Sequence, residues 1–558
     1  MKSLLEGKIN QAVKKLYGLD YSSHIDCSCG NSYGDYATNV AMKLAGQVKK
    51  NPQEIAQEII AQLKSDKQVS DVFSEISVAN GFINFKFSDD FLQKELARVL
   101  REQGEYLCCD VGKKQKVQIE FISANPTGPI TIANARGGFL GDVLAKILKK
   151  AGFDVQKEYY VNDVGKQIEI LAESVARRVL ELKGQKTEFP DYCYQGEYVK
   201  DIAEGFLAEV KTEYNSLGEI AEAAKNYSLF KIIDWIKNDL KESGIEYDRW
   251  FFESELYAKP WYQARSEIDK TMHWLDEQSL LEQKDGAMWF KSSDFGDDKD
   301  RVVVKEGGEK TYFASDIAYF KNKIDRGFGK IIEIWGADHY GYIPRIKAVA
   351  RVLNSDVKID FILTQMVRLV DENGNVAKMS KRAGHLIKLK DLLNEVGLDA
   401  LRFFFLMYSA NTHMDFNVSL AKEKSQKNPV FYLQYAHARI ASVLKKAAEE
   451  NKISLKKIKS ASLNANENAY FESGEKELIK KLIKSAGLIK EVSSSYEASK
   501  LAHYCLELAK SFHDYYENNR IISDDSGLTM MRLRVILAVK IILSEMLNLM
   551  GISAPEKM

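Results

Sequence analysis

Val117-Gln118-Ile119-Glu120-Phe121, then Ser123-Ala124-Asn125-Pro126-Thr127-Gly128-Pro129, then Ile132, Ala135, Phe139, Leu140, Val143, Leu144, Ile147 and Leu148 on one recurring face: this run decides the fold. The first five residues are a short apolar-rich strand, and the Pro/Gly loop stops it. The apolar spacing then changes to that of a helix, on a face broad enough to be covered from two sides. Gly152 closes the helix, and Asp154–Tyr160 reads as a second strand. Strand, loop, long helix, strand opens a doubly wound parallel sheet, whose ligands sit at the carboxyl ends of the strands.

Upstream, helical spacing covers 1–17, 38–48 and 52–65, and apolar alternation covers Glu75–Val78 and Phe82–Phe87 around the turn residue Gly81. Residues 1–112 therefore form an α/β domain, and Gly112-Lys113-Lys114-Gln115-Lys116 reads as its linker. Downstream, 165–285 is mostly helical by period and reads as an insertion into the sheet. Strand signals resume at Arg301–Lys305, Lys330–Trp335 and Asp360–Val370. From 391 onward the pattern is all helical, with a charged, Asn/Ser-rich connection over 449–474. The division is 1–112, 113–390 with the insertion at about 165–285, a helical connection at 391–428, and a helical bundle at 429–558.

At 558 residues the chain is too long for one core. Lys+Arg and Asp+Glu balance at 79 each, so any polyanion must be held by local patches. The tail 429–558 carries 19 Lys+Arg against 15 Asp+Glu, with Tyr432, Tyr435, Tyr504, Phe512, Tyr515 and Tyr516 interleaved. Single-stranded bases are read by stacking, which such residues suit, although most of these aromatics are expected to belong to the core. The six cysteines, at 27, 29, 108, 109, 193 and 505, form no CxxC pair and read as free thiols of a reducing compartment. The first 18 residues are broken by lysines, and the apolar stretch Val535 to Met550 contains Lys540 and Glu545. Neither reads as a signal peptide or membrane span, so the expectation is a soluble cytoplasmic protein without membrane partners.

One string carries chemistry most sharply. Lys378-Met379-Ser380-Lys381-Arg382 follows a strand and an Asp371-Glu372-Asn373-Gly374 turn. Two lysines three apart on a loop can place two ammonium groups around one triphosphate, which nucleotidyl transfer needs as charge moves onto pyrophosphate. A solvated basic loop is the plainer reading.

KMSKR resembles the KMSKS signature of class I aminoacyl-tRNA synthetases. The lead-in SANPTGP and the continuation Ala135-Arg136-Gly137-Gly138 are similar to bacterial arginyl-tRNA synthetases. So are Tyr160-Val161-Asn162-Asp163, Tyr312-Phe313-Ala314-Ser315-Asp316 and Trp335-Gly336-Ala337-Asp338-His339. Asp399-Ala400-Leu401-Arg402, Asn428-Pro429-Val430-Phe431-Tyr432 and Ser553-Ala554-Pro555-Glu556-Lys557-Met558 extend the resemblance over nearly the whole chain. It implies a Rossmann-type catalytic domain between an additional N-terminal tRNA-binding domain, matched at His24 to Asn39, and a DALR-type anticodon-binding bundle.

The resemblance also implies site residues. Lys378, Lys381, Thr131 and Asn134 would be catalytic. ATP would be held by Thr131, Ala133, Asn134, Arg136, Gly336, Asp338, His339, Lys378, Met379, Ser380 and Lys381. Arginine would be held by Glu120, Ser123, Asn125, Tyr312 and Asp316, with Glu120 and Asp316 on the guanidinium, which suits carboxylates. The family's HIGH signature is here Thr131-Ile132-Ala133-Asn134, with neither histidine and no glycine. Thr131 and Asn134 are expected to donate neutral hydrogen bonds in their place. ATP with Mg²⁺, L-arginine and tRNA(Arg) are the implied substrates and partners, without protein metal ligands. Arginine activation is expected to need bound tRNA, and the chain is expected to be a monomer. A synthetase for another amino acid, a non-catalytic tRNA-binding relative and a nucleotidyltransferase of another pathway are the competing readings.

Overall fold

The computed structural model describes residues 1–27, 34–211, 214, 216–259, 265–353, 356–376, 387–460 and 471–558. The N-terminal domain packs helices Lys2–Tyr17, Val40–Val48 and Pro52–Lys64 on a four-stranded antiparallel sheet. Ion pairs Lys480–Asp35 (2.8 Å) and Lys476–Asp89 (2.8 Å) tie this end of the chain to the C-terminal helices.

The central sheet is wholly parallel. Its strands are β1 (Lys116–Phe121), β2 (Asp154–Val161), β3 (Arg249–Phe252), β4 (Lys330–Gly336) and β5 (Lys358–Thr364), in the order β5-β4-β1-β2-β3. Connections run outward both ways from β1, so the crevice between β1 and β4 is the topological switch point. Helix α1 (Ile132–Lys150) crosses from β1 to β2, and α2 (Tyr312–Asp325) precedes β4. A Cβ at Gly141 would lie 2.3 Å from the Phe121 ring, so glycine there lets α1 settle directly on β1.

Register sets Glu333, Glu120 and Glu158 side by side on β4, β1 and β2. All three are buried, and Lys323 and Tyr319 of α2, with Arg326 just beyond it, come down on them. Lys323 Nζ donates to Glu120 Oε2 (2.7 Å) and Glu333 Oε1 (2.5 Å). Tyr319 OH lies 2.7 Å from both Glu120 Oε2 and Glu158 Oε1, its one proton shared between them, and Arg326 forks onto Glu158 (2.5 and 2.8 Å). Burial opposes the Lys323 charge, but its three carboxylate neighbours outweigh that and raise its pKa. Burial first, and then Glu120, raise that of Glu333.

The fold differs from the sequence reading in four places. The segment read as an insertion returns to the sheet, because Arg249–Phe252 is its edge strand β3. Arg301–Val304 belongs to a separate three-stranded antiparallel sheet with Leu281–Lys284 and Ala287–Phe290. Asp360–Val370 divides into β5 and β6 (Val367–Val370), and β6 pairs in parallel with β7 (Met414–Asn417), a strand within the region read as all helical. In the connection read over 449–474, Leu455–Lys459 is a short helix with Ile458 fully buried, and 461–470 lie outside the described residues. Four long helices, Pro429–Glu449, Ser473–Ser495, Ser499–Asn518 and Ser526–Met550, form the C-terminal bundle. Among the described residues no helix is long and apolar enough to cross a membrane.

Candidate active site

The switch-point crevice opens into a cleft of about 690 Å³. Its walls are the segment after β1 (Glu120, Ile122–Asn125), the start of α1 (Ala133, Asn134, Gly137), the ends of β2 and β3 (Tyr160, Asn162, Glu253), the start of α2 (Tyr312, Ser315, Asp316) and the turn after β4 (Trp335, Gly336, Asp338, His339, Tyr342). Ile122 and Ser123 hold left-handed backbone (φ 68° and 38°), a conformation costly for residues with side chains and often found at functional sites. That bend lets Ser123 Oγ donate to Glu120 Oε1 (2.9 Å) and accept from Tyr160 N (3.1 Å).

Ten of the residues expected from sequence meet in this one cleft: Glu120, Ser123, Asn125, Ala133, Asn134, Tyr312, Asp316, Gly336, Asp338 and His339. Three carboxylates share the inner wall. Glu120 arrives already engaged, with Oε2 on Lys323 and Tyr319. Asp316 accepts from Tyr342 OH (2.7 Å), and burial lifts its pKa to about 6, with Glu120 adding to the rise. Burial lifts Glu253 further, to about 7, against hydrogen bonds from Ser315 and Tyr160. The Asn162 amide, turned to satisfy both its ends, donates to Glu253 Oε2 (3.0 Å). Asp316, half-buried, and Glu253, buried, are thus acids whose neighbours compensate them only in part, a setting that favours a cationic ligand. Tyr312, 59% exposed, stands at the mouth.

The opposite end is built on α1. Asn134 Oδ1 accepts from Thr131 N (3.1 Å) and Thr131 Oγ1 (2.7 Å). The Thr131 hydroxyl proton is therefore spent inside the protein, and Asn134 Nδ2 and the helix N-terminus remain to meet an anion. Thr131 stands half-exposed at the helix start, beside the cleft residues Ala133 and Asn134. Arg136 reaches away from the cleft. It is buried, and its guanidinium donates to the carbonyls of Gln365 (2.8 Å), Met366 (3.4 Å), Ser409 (2.8 Å) and Thr412 (2.6 Å). Those bonds clamp α1 to the β5–β6 turn and to the Ser409–Thr412 segment before β7 and engage both terminal nitrogens of the guanidinium.

Lys378, Met379, Ser380, Lys381 and Arg382 lie outside the described residues, as does Cys29. The described flanks of the KMSKR string do bear on the site. Val376 bridges back to Val370, while Ile132 N donates to Ile387 O (3.1 Å) and Leu389 N to Ile130 O (2.8 Å). The residues just after the string are thereby hydrogen-bonded to the segment that starts α1.

The family profile for "tRNA synthetases class I (R), catalytic domain" matches residues 95–404. "Arginyl tRNA synthetase N terminal domain" matches 3–87, and "DALR anticodon binding domain" matches 433–558. An arginine–tRNA ligase of Desulfosudis oleivorans is 42% identical, covering 94% of this chain and 93% of the relative. The chain belongs to the arginyl-tRNA synthetase family. A second relative so named, from Aquifex aeolicus, is 39% identical over the full length of both chains. The Thermus thermophilus arginyl-tRNA synthetase structure shares the fold, with a TM-score of 0.78 over 100% of both chains at 21% identity.

Against the arginyl-tRNA synthetase pattern, the altered HIGH position is an intact helix start rather than a disrupted one. Glu253 is the wall residue that the sequence reading missed. Its signal was the short apolar run Trp250-Phe251-Phe252 between helices, a strand whose end points at the cleft as those of β1 and β4 do.

Proposed function

We propose that the chain joins L-arginine to the 3′-terminal adenosine of tRNA(Arg) in this cleft. The observation that carries the reading is the partly compensated pair Asp316 and Glu253, at the far end of one cleft from the Asn134 helix start. The enzyme is an aminoacyl-tRNA ligase with ATP as its second substrate. In our reading the guanidinium lies between Asp316 and Glu253 under Tyr312, while Glu120, fixed by Lys323, closes the wall. Lysine or citrulline in this place would leave a carboxylate with poor partners. Asn125 takes the α-amino group. Adenine and ribose lie along Ala133, Gly336, Asp338 and His339, and the triphosphate lies between Asn134 and Lys378, Met379, Ser380 and Lys381.

The arginine carboxylate then attacks the α-phosphorus in line. The bond to the β-phosphate oxygen breaks and pyrophosphate leaves, its charge met by Lys378 and Lys381. A hydroxyl of the terminal ribose next attacks the carbonyl of arginyl-adenylate, and AMP departs. Positioning and electrostatics supply the rate. Mg²⁺ would arrive on the triphosphate and, when bound, would add to the charge with which Lys378 and Lys381 meet pyrophosphate.

Domains 1–112 and 429–558 are proposed to grip tRNA, with 391–428 joining the second to the catalytic domain 113–390. The working form is proposed to be a cytoplasmic monomer that activates arginine only with tRNA bound. The test is charging of total tRNA with each of twenty amino acids, beside pyrophosphate exchange with and without tRNA. Charging by arginine alone, with exchange only when tRNA is present, is expected. Retained tRNA binding without charging would favour a non-catalytic relative and refute the proposal.

A further inference from the structure

The DALR string contributes a residue that sits in neither the cleft nor an RNA-facing surface. Arg402 is fully buried, more than twenty residues before the bundle begins. Its guanidinium donates to three separate parts of the molecule. These are Asp142 Oδ2 on α1 (2.5 Å), the Ser243 carbonyl just past the helix Leu217–Glu242 (2.9 Å), and the Met550 carbonyl at the end of the last bundle helix (2.7 Å). It also lies 5.1 Å from the Phe139 ring centroid, again on α1. The fit is close. Gly551 caps the last helix at φ 68°, and a Cβ there would meet the guanidinium at 2.5 Å.

We infer that Arg402 is a positioning residue for ligation: it locks α1, which carries the ATP corner at Asn134, to the end of the last helix of the anticodon-binding bundle. The inference rests on the proposed reading of the cleft and bundle. Asp142 lies eight residues beyond Asn134 on one continuous helix, about 12 Å along its axis. A packed helix of this kind moves as a rod, because its interior contacts are not continuously deformable. When RNA engages the bundle and shifts the last helix, Met550 draws on Arg402, Arg402 on Asp142, and Asn134 changes its setting against the triphosphate. Asp142 is suited to this load. Burial disfavours its charge, but Arg402, Lys146 and Lys157 more than offset that and keep it a carboxylate.

The test uses the full chain. Gly551→Ala pushes on the guanidinium, and Arg402→Lys keeps a positive charge while losing the forked contacts. Gly184→Ala is the control, since Gly184 also has left-handed backbone (φ 78°) with nothing near its Cβ position. Turnover is read per titrated active site, so misfolded enzyme drops out of the measurement. The expected result is a fall of about tenfold in charging kcat for both test variants, with tRNA Kd and arginine KM unchanged and the control at wild-type rate. A second measurement needs no variant. An RNA hairpin carrying the arginine anticodon, added to the wild-type enzyme, should slow amide exchange in the first turns of α1. Unchanged kcat per site in both variants, or hairpin binding that leaves α1 exchange untouched, would overturn the inference. Failure of the wild-type enzyme to charge arginine would instead overturn the reading of the cleft beneath it.

Discussion

Lowering the pH should weaken arginine binding steeply while leaving ATP binding nearly unchanged. The two acids assigned to the guanidinium are held above the usual carboxylate range, Asp316 at about 6 and Glu253 at about 7, chiefly by burial. If the guanidinium binds only when both are ionised, the competent fraction is roughly one twentieth at pH 6 and about nine tenths at pH 8. Arginine KM should therefore fall roughly 20-fold from pH 6 to pH 8. Stability moves in the opposite sense. Both folded-state pKa values lie above the unfolded ones, so the arginine-free enzyme loses stability as pH rises through 6 and 7. The Tm gained on adding arginine should accordingly be larger at pH 8 than at pH 6. The assay is charging at saturating ATP and tRNA across this range, with ATP KM measured in parallel. Glu253→Gln should remove the upper of the two ionisations, and Asp316→Asn should raise arginine KM far more than ATP KM. An arginine KM that stays flat between pH 6 and 8, or that falls on acidification, would refute the assignment.

Three further outcomes follow from the same geometry. Lys323→Met strands Glu120 and Glu333 without their shared cation and should cost about 3–5 kcal/mol in urea unfolding, with much of it regained when Glu333→Gln is added. Arg136→Met should lower Tm because four carbonyls lose their donor, whereas a raised ATP KM at unchanged Tm would return Arg136 to the nucleotide. Lys381→Ala should slow adenylate formation about a hundredfold and leave tRNA Kd near wild type, and equal loss of both would remove it from the pyrophosphate.

Much of the cleft was legible in the sequence because its parts are contiguous strings at strand ends. Glu120 with Asn125, Tyr312 with Asp316, and Gly336 through His339 each sit where a strand or turn delivers them to the switch point. Glu253 was legible only through the short apolar run before it, since β3 spans four residues between helical stretches and has no room to display a period. Strand β7 escaped for the same reason, and its partner lies 47 residues upstream in register. The course of the Arg136 side chain was not legible, because local spacing places its backbone beside the ATP corner but does not say where a long side chain goes. Its acceptors lie more than 200 residues away in sequence. Thr131 was placed on the correct helix start, but the capping bond to Asn134 that occupies its hydroxyl depends on a rotamer the sequence does not reveal.

The row of glutamates across β4, β1 and β2 bears on how the chain assembles. Strands about 4.8 Å apart would set neighbouring carboxylates against each other at roughly 3 kcal/mol per pair in a protein-like medium. β1 and β2 come off the ribosome well before Lys323 and Arg326, so their early pairing is discouraged. Lys323 precedes Glu333 by ten residues, so α2 and β4 arrive as one hairpin-sized unit carrying both the remaining acid and its neutraliser. The charge row thus predicts an order of assembly. The first half of the sheet, where Arg249 lies 3.8 Å from Glu158, is expected to close firmly only when α2 adds Lys323 and Arg326, and pulse-labelled exchange showing β1 and β2 protected before α2 would contradict that order.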